Sequence, residues 1–204
     1  MEARAKILEI LRRKNYSKNL YPGKLNTSVF SDKGKDNLLD LFVEQAQKVN
    51  AEVEIISTED EIFSKIKEYL RKNNLNNIYT FIPELQQYLS DNAFKPSNEF
   101  SKDIEIAVTR CENLIARTGT ALLSSAYFGR KINYFAEYHI VIAKESQIVW
   151  DISEAIENLQ AKFGKDLPSM ISLVTGPSRT ADIEKTLILG AHGPKKLKIL
   201  ILKQ

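Results

Sequence analysis

Apolar residues at helical spacing open the chain: Ala5, Ile7, Leu8, Ile10 and Leu11 recur between charged neighbours, predicting an amphipathic helix over the first fourteen residues. From Asn15 to Lys35 the period lapses into Asn, Ser, Lys, Gly and Pro, the composition of a long loop or arm. Residues 36–50 then set Leu38, Leu39, Phe42, Val43 and Ala46 on one helical face, and VEII at 53–56 predicts a strand. Thr58 followed by Glu61 is a capping-box signature for a helix over 59–72, and IYTFI at 78–82 predicts a second strand. A short helix is expected around 84–90, with loop from Asn92 to Lys102.

The later half is richer in strands. LIARTGTALLSS (114–125) and EYHIVIA (137–143) precede a helix from about Asp151 to Phe163, and MISLV (170–174) and KLKILIL (196–202) follow it. This alternation predicts a three-layer α/β domain around a mostly parallel sheet, with antiparallel strands where LIA and ALLSS flank the TGT turn. The expected organisation is an N-terminal helix and arm over 1–35 and an α/β domain over 36–204.

Composition narrows the partners more than it changes the fold. With 43% hydrophobic and 27% charged residues among 204, the chain can bury a core without staples. Lys and Arg exceed Asp and Glu by only 29 to 26 and form no long block, so a nucleic-acid partner is not expected. Cys111 is the single cysteine, which excludes an internal disulfide and argues against a structural zinc or a protein-held iron–sulfur cluster. A reducing cytoplasm fits that usage, and no run approaches the length of a membrane span.

Four stretches carry possible chemistry. In TGPSRTADIE, Gly176 and Pro177 shape a turn behind the apolar run, and Ser178 or Thr180 can cap a following helix. Arg179 is outside that explanation: its fork suits a carboxylate or phosphate, with Asp182 or Glu184 as alternative internal partners. A loop behind a parallel strand is also where open α/β sheets bind ligands. In ARTGTALLSS, Thr118, Gly119 and Thr120 form either an anion cradle or a plain hairpin turn. His192 in GAHGP is either an acid–base group or a loop anchor, and His139, on the strand face of Val141 and Ala143, is either a ligand contact or a satisfied core histidine. Cys111 has no nearby histidine or second cysteine and reads as a buried or neutral thiol rather than a nucleophile. Ser124 and Ser125 lack a nucleophile elbow.

Taken together, CENLIARTGTALLSS (111–125), EYHIVIA with QIV after it, TGPSRTADIE (175–184) and LILGAHGPKKLKILIL (187–202) resemble the LUD-domain family in its stand-alone form. The resemblance covers roughly residues 100–204 and is most specific in the last thirty; the first hundred match only in layout. It implies a fold similar to the NagB/RpiA/CoA-transferase superfamily and a part in oxidising lactate to pyruvate. Partner subunits would carry the iron–sulfur clusters, and this chain would bind no cofactor itself. The matching positions are Thr118, Gly119, Thr120, His139, Gly176 through Asp182 with Glu184, and Gly190, His192, Gly193 and Pro194. Arg117 departs from the acidic residue that many members carry there, and adds positive charge beside the TGT turn.

Two functions follow from these residues and the resemblance. One is a subunit of a cytoplasmic lactate-oxidising system that holds a small anion at the TGT and GPSRTAD loops. The other is an independent enzyme or sensor for an anion such as a nucleotide, folate or acyl-CoA, with Arg117 and Arg179 orienting it and Glu184 and His192 as acid and base.

Overall fold

Helix formation starts at Asn37, whose side-chain oxygen accepts the Asp40 amide at 3.1 Å. The computed structural model describes residues 37–99, 101–127, 136–181, 187–189 and 193–203, together with residue 9. By internal contacts the chain divides into two units, Met1–Lys33 and Gly34–Gln204, and every element below belongs to the second. Apart from residue 9, the expected N-terminal helix and arm lie outside the described residues.

The first half contains α1 (Leu38–Lys48), β1 (Glu52–Ile56), α2 (Glu59–Lys72), β2 (Asn77–Thr80), α3 (Pro83–Asp91), β3 (Lys95–Ser97) and β4 (Ile106–Arg110). The second half adds β5 (Asn113–Ile115), β6 (Thr120–Ser124), β7 (Tyr138–Lys144), β8 (Ile148–Val149), α4 (Ile152–Phe163), β9 (Ile171–Val174), β10 (Arg179–Ala181), β11 (Leu187–Leu189) and β12 (Lys196–Leu202). Local signals place the helix starts. Thr58 accepts the Glu61 amide while Glu61 reaches back to the Ser57 amide, and Asp151 caps α4 through the Ser153 amide.

Six strands form one sheet in the order β1-β12-β7-β4-β2-β3, every neighbouring pair parallel. The central strands are apolar on both faces because both faces are covered. Leu200 and Leu202 of β12, Ile140 of β7 and Val108 of β4 pack with Ile62 and Ile66 of α2 and Leu85 and Leu89 of α3. On the other face Leu197, Ile199, Val141 and Ala107 pack with Phe42 and Ala46 of α1 and with Leu114, Ala121 and Leu123. Those last residues belong to a second sheet, β8-β5-β6-β9, in which β6 runs antiparallel to both β5 and β9. Helix α4 covers this small sheet through Ala155 and Leu159. The α/β class, the mostly parallel sheet and the antiparallel hairpin about TGT are all present.

Three expectations are corrected. The supposed loop over Asn92–Lys102 contains β3, which pairs with β2 through Ile78 and Pro96; at the sheet edge a proline removes no needed donor. Residues 179–181 continue as strand β10 rather than starting a helix capped by Ser178 or Thr180, because residues 187–189 supply an antiparallel backbone partner. The run MISLV lies in the small mixed sheet, antiparallel to β6, so the TGPSR loop does not follow a strand of the parallel sheet.

The layers meet at unusually short range on α1. Gly119, in the left-handed conformation at φ +62°, approaches so closely that a Cβ there would lie 2.3 Å from the Ala46 nitrogen. A Cβ on Gly176, at φ +73°, would lie 2.2 Å from the Val49 carbonyl oxygen. Gly164 is also at positive φ but has nothing within 4 Å of its would-be Cβ. Gly119→Ala and Gly176→Ala are therefore expected to cost about 3 kcal/mol or more each, from strain plus overlap, and Gly164→Ala about 1 kcal/mol from strain alone. Urea unfolding of the three variants checks the ranking; equal costs would show that the contact with α1 is unimportant.

Candidate functional site

Antiparallel register brings the two threonine–glycine turns together. Ala121 of β6 stands opposite Val174 of β9, so the residues just outside that pair, Thr120 and Thr175, become neighbours. Their hydroxyls lie 2.7 Å apart, and Thr118 lies 2.7 Å from Thr120 on the other side, making a chain of three hydroxyls. Thr120 is buried, whereas Thr118 and Thr175 are exposed at the two ends. The chain's central member can donate to only one of its neighbours, so it leaves an exposed hydroxyl able to serve an external acceptor.

Beside this seam lies a cleft of about 650 Å3, lined by Val49, Thr175, Gly176, Ser178, Arg179 and Gly193 among others. Its floor is tied down by the Ser178 amide, which donates to the Pro194 carbonyl at 2.8 Å. Arg179 is exposed and donates from Nη2 to the Val49 carbonyl at 3.4 Å, a long contact to the residue that caps α1. A cation is favoured at a helix C-terminus. The same guanidinium keeps donors for a ligand, since it has five and this contact uses one.

Of the residues singled out in the sequence, Thr118, Gly119 and Thr120 reach the second turn through the Thr120–Thr175 hydroxyl contact, while Gly176, Pro177, Ser178 and Arg179 line the cleft itself. Thr180 enters β10. Arg117 occupies the 3-10 turn Ala116–Thr118, with its amide on the Trp150 carbonyl, and is not among the residues lining the cleft. His139 is buried in the parallel sheet, where Nε2 lies 2.8 Å from the Thr109 hydroxyl; of its two readings this geometry is that of a satisfied core histidine. Asp182, Glu184, Gly190 and His192 lie outside the described residues. Cys111 is fully buried, and burial together with the neighbouring Glu112 pushes its thiol up to about 12, so it stays protonated at neutral pH.

Sequence reading missed a second polar group. Ser124 donates to Glu112 Oε1 at 2.5 Å, Lys162 donates to Glu112 Oε2 at 2.8 Å, and the same ammonium contacts the Tyr127 hydroxyl. Partial burial pushes the Lys162 ammonium down, but its bonds to Glu112 and Tyr127 outweigh this, and its pKa stands above the ordinary lysine value. The hairpin about Gly119 held a clue, because folding it puts Asn113 across from Leu122 and the Glu112 amide on the Leu122 carbonyl, near Ser124. Lys162, on α4, carried no such signal.

Comparison with known proteins places this architecture. Residues 39–202 match the family model described as the LUD domain. The chain belongs to the LUD domain family. A crystal structure of a DUF162 family protein from Deinococcus radiodurans shares the fold of this LUD protein at a TM-score of 0.62 and 20% identity, over 82% of this chain and 98% of that one. The LUD chain is similar to "Lactate utilization protein C" of Halalkalibacterium halodurans, 27% identical over 90% of this chain and 86% of that protein. It is also similar to the uncharacterized protein YkgG of Escherichia coli, 38% identical over 42% of this chain and 38% of that protein.

The buried histidine gives the LUD domain a pH dependence. Desolvation lowers its pKa from 6.5 to about 4 in the fold, so below pH 6.5 the unfolded chain binds the extra proton first. Stability attributable to His139 is intact above pH 6.5 and falls by up to about 3 kcal/mol as the pH drops to 4. Acidification from pH 7 to 4.5 should consequently destabilise His139→Gln by about 2 kcal/mol less than the wild type in urea unfolding. An unchanged difference between the two pH values would mean that His139 is not held neutral.

Proposed function

We propose that this LUD protein serves lactate utilization as a subunit that carries no redox centre, and that the seam cleft holds a small carboxylate. Support for the role comes from the nearly end-to-end similarity to a protein named for lactate utilization. The site reading rests on one observation: an exposed arginine and an exposed threonine hydroxyl stand on the same cleft wall, on either side of a glycine turn. A guanidinium pairs a carboxylate through two parallel bonds, and a hydroxyl at the seam suits a 2-hydroxy or 2-oxo group.

An iron–sulfur cluster does not fit the residues of this chain. It needs several thiolates, and the only cysteine is fully buried with its proton held in place. Among the described residues no group of three or more His, Cys, Asp or Glu could hold a metal ion, and no helix is long and apolar enough to cross a membrane. Electron transfer from lactate would accordingly fall to partner subunits bearing the clusters. Glu184 and His192, the acid and base of the alternative reading, lie outside the described residues.

Thermal unfolding in the presence of lactate, pyruvate or phosphate tests the site. A carboxylate at about 100 times its dissociation constant should add about 2.7 kcal/mol, or roughly 5 to 10 °C in Tm. Arg179→Ala should abolish the shift while leaving the unliganded Tm within a few degrees. A shift of equal size in the variant would remove the arginine from the site, and turnover of lactate by the isolated chain would overturn the subunit role.

A further inference from the structure

The carboxyl ends of the parallel strands hold a separate cleft that the seam does not reach. Chain leaving β1 and β2 passes to the face of α2 and α3, while chain leaving β4 passes to the small sheet on the opposite face. Between β2 and β4 the direction of exit therefore reverses. Such a reversal opens a crevice at the carboxyl ends of an α/β sheet, the place where these sheets receive ligands. Here the crevice has a volume of about 460 Å3, within the range of small-molecule sites. The TGPSR cleft, by contrast, borders the opposite end of the sheet, where Pro177 and Arg179 lie with Glu52 and Lys196 at the starts of β1 and β12.

The walls of the crevice define a ligand class. Half-buried Phe63 and Ile142, with the edges of the largely buried Ile62, Ile82 and Leu202, give the crevice apolar walls from two helix starts and two strand ends. Two cations stand at the rim: Arg110 with Glu84 at 3.9 Å, and Lys144 with Glu59 at 3.9 Å. All four side chains are largely exposed, and such long pairs contribute little, so either cation can turn to a ligand at small cost. Glu59 and Asp60, also at the rim, occupy the first turn of α2, where the helix N-terminus offsets their charge. Helix α3 begins at Pro83 without a side-chain cap, and Glu84 in its first turn is the residue that faces Arg110.

We infer that this crevice is a second binding site, for an amphipathic anion with an apolar body seated on the isoleucines and its charged end on Arg110. The inference is independent of the proposed carboxylate site at the seam. Its ligand is larger and less polar than lactate, and it enters from the opposite end of the sheet.

Titration with 1-anilinonaphthalene-8-sulfonate, followed by fluorescence and by methyl NMR of isoleucine-labelled full-length chain, tests it. The Ile62, Ile82 and Ile142 methyl signals should shift while that of Ile171, on β9, stays put. Arg110→Ala should weaken binding about tenfold, and the uncharged parent 1-anilinonaphthalene should bind about equally to wild type and variant. Arg179→Ala should leave the titration unchanged, so a failure at the seam and a failure here are separable. Competition by octanoate or by adenosine monophosphate then tells an acyl carboxylate from a nucleotide phosphate. Shifts confined to Ile171, no shifts at all, or an affinity indifferent to both Arg110 and the sulfonate would overturn the inference.

Discussion

The approach of Gly119 and Gly176 to the last turn of α1 leaves no room for one methyl group, and the stacking of the two sheets depends on it. Helix α1 is wedged between the parallel sheet and the turns of the small sheet, and the distance between those layers is set by how near two backbones can come to it. A side chain at either position would lift the small sheet off the core formed by Phe42, Ala46, Leu114 and Leu123. Close packing transmits such displacements because interiors have little free volume.

That contact also explains why the seam is where it is. Thr120 and Thr175 directly follow and precede the two glycines, so the seating that excludes side chains from α1 presents hydroxyls and an arginine at the edge of a cleft. Val49 joins the two arrangements, since its carbonyl faces Gly176 and accepts from Arg179. Moving Arg179 away would release a helix-terminal carbonyl, so the placement of this side chain and order at the end of α1 are coupled through one hydrogen bond.

Much of this was legible in the sequence where the determining forces are local. The Thr58 capping box and the apolar face of α1 placed those helices within a residue or two, and the span expected for α4 matched as closely. Strands showed as apolar runs, but membership of a sheet is decided by distant partners. Thus MISLV and KLKILIL looked alike, although Leu173 is 47% exposed in the small sheet and Leu200 is fully buried in the large one. The short strand at Pro96 was hidden because proline reads as a breaker unless the strand is known to lie at an edge. Both threonine–glycine turns stood out by composition, whereas their meeting depends on a β6–β9 register that no local pattern encodes. Glu112, Ser124 and Lys162 come from three separate segments and became a group only when the small sheet and α4 closed together.

The position of β12 has a consequence for how the molecule comes into being. Residues 196–202 fill the gap between β1 and β7, so the first strand of the parallel sheet has no partner in it until almost the last described residues have left the ribosome. During synthesis β1 must wait with its hydrogen-bonding edges open, and the waiting time is set by translation of about 140 residues at roughly 5 to 20 per second. Glu52 and Glu54 on that strand, charged and facing solvent or lysine, are the kind of side chains that keep an unpaired strand from joining a neighbouring nascent chain.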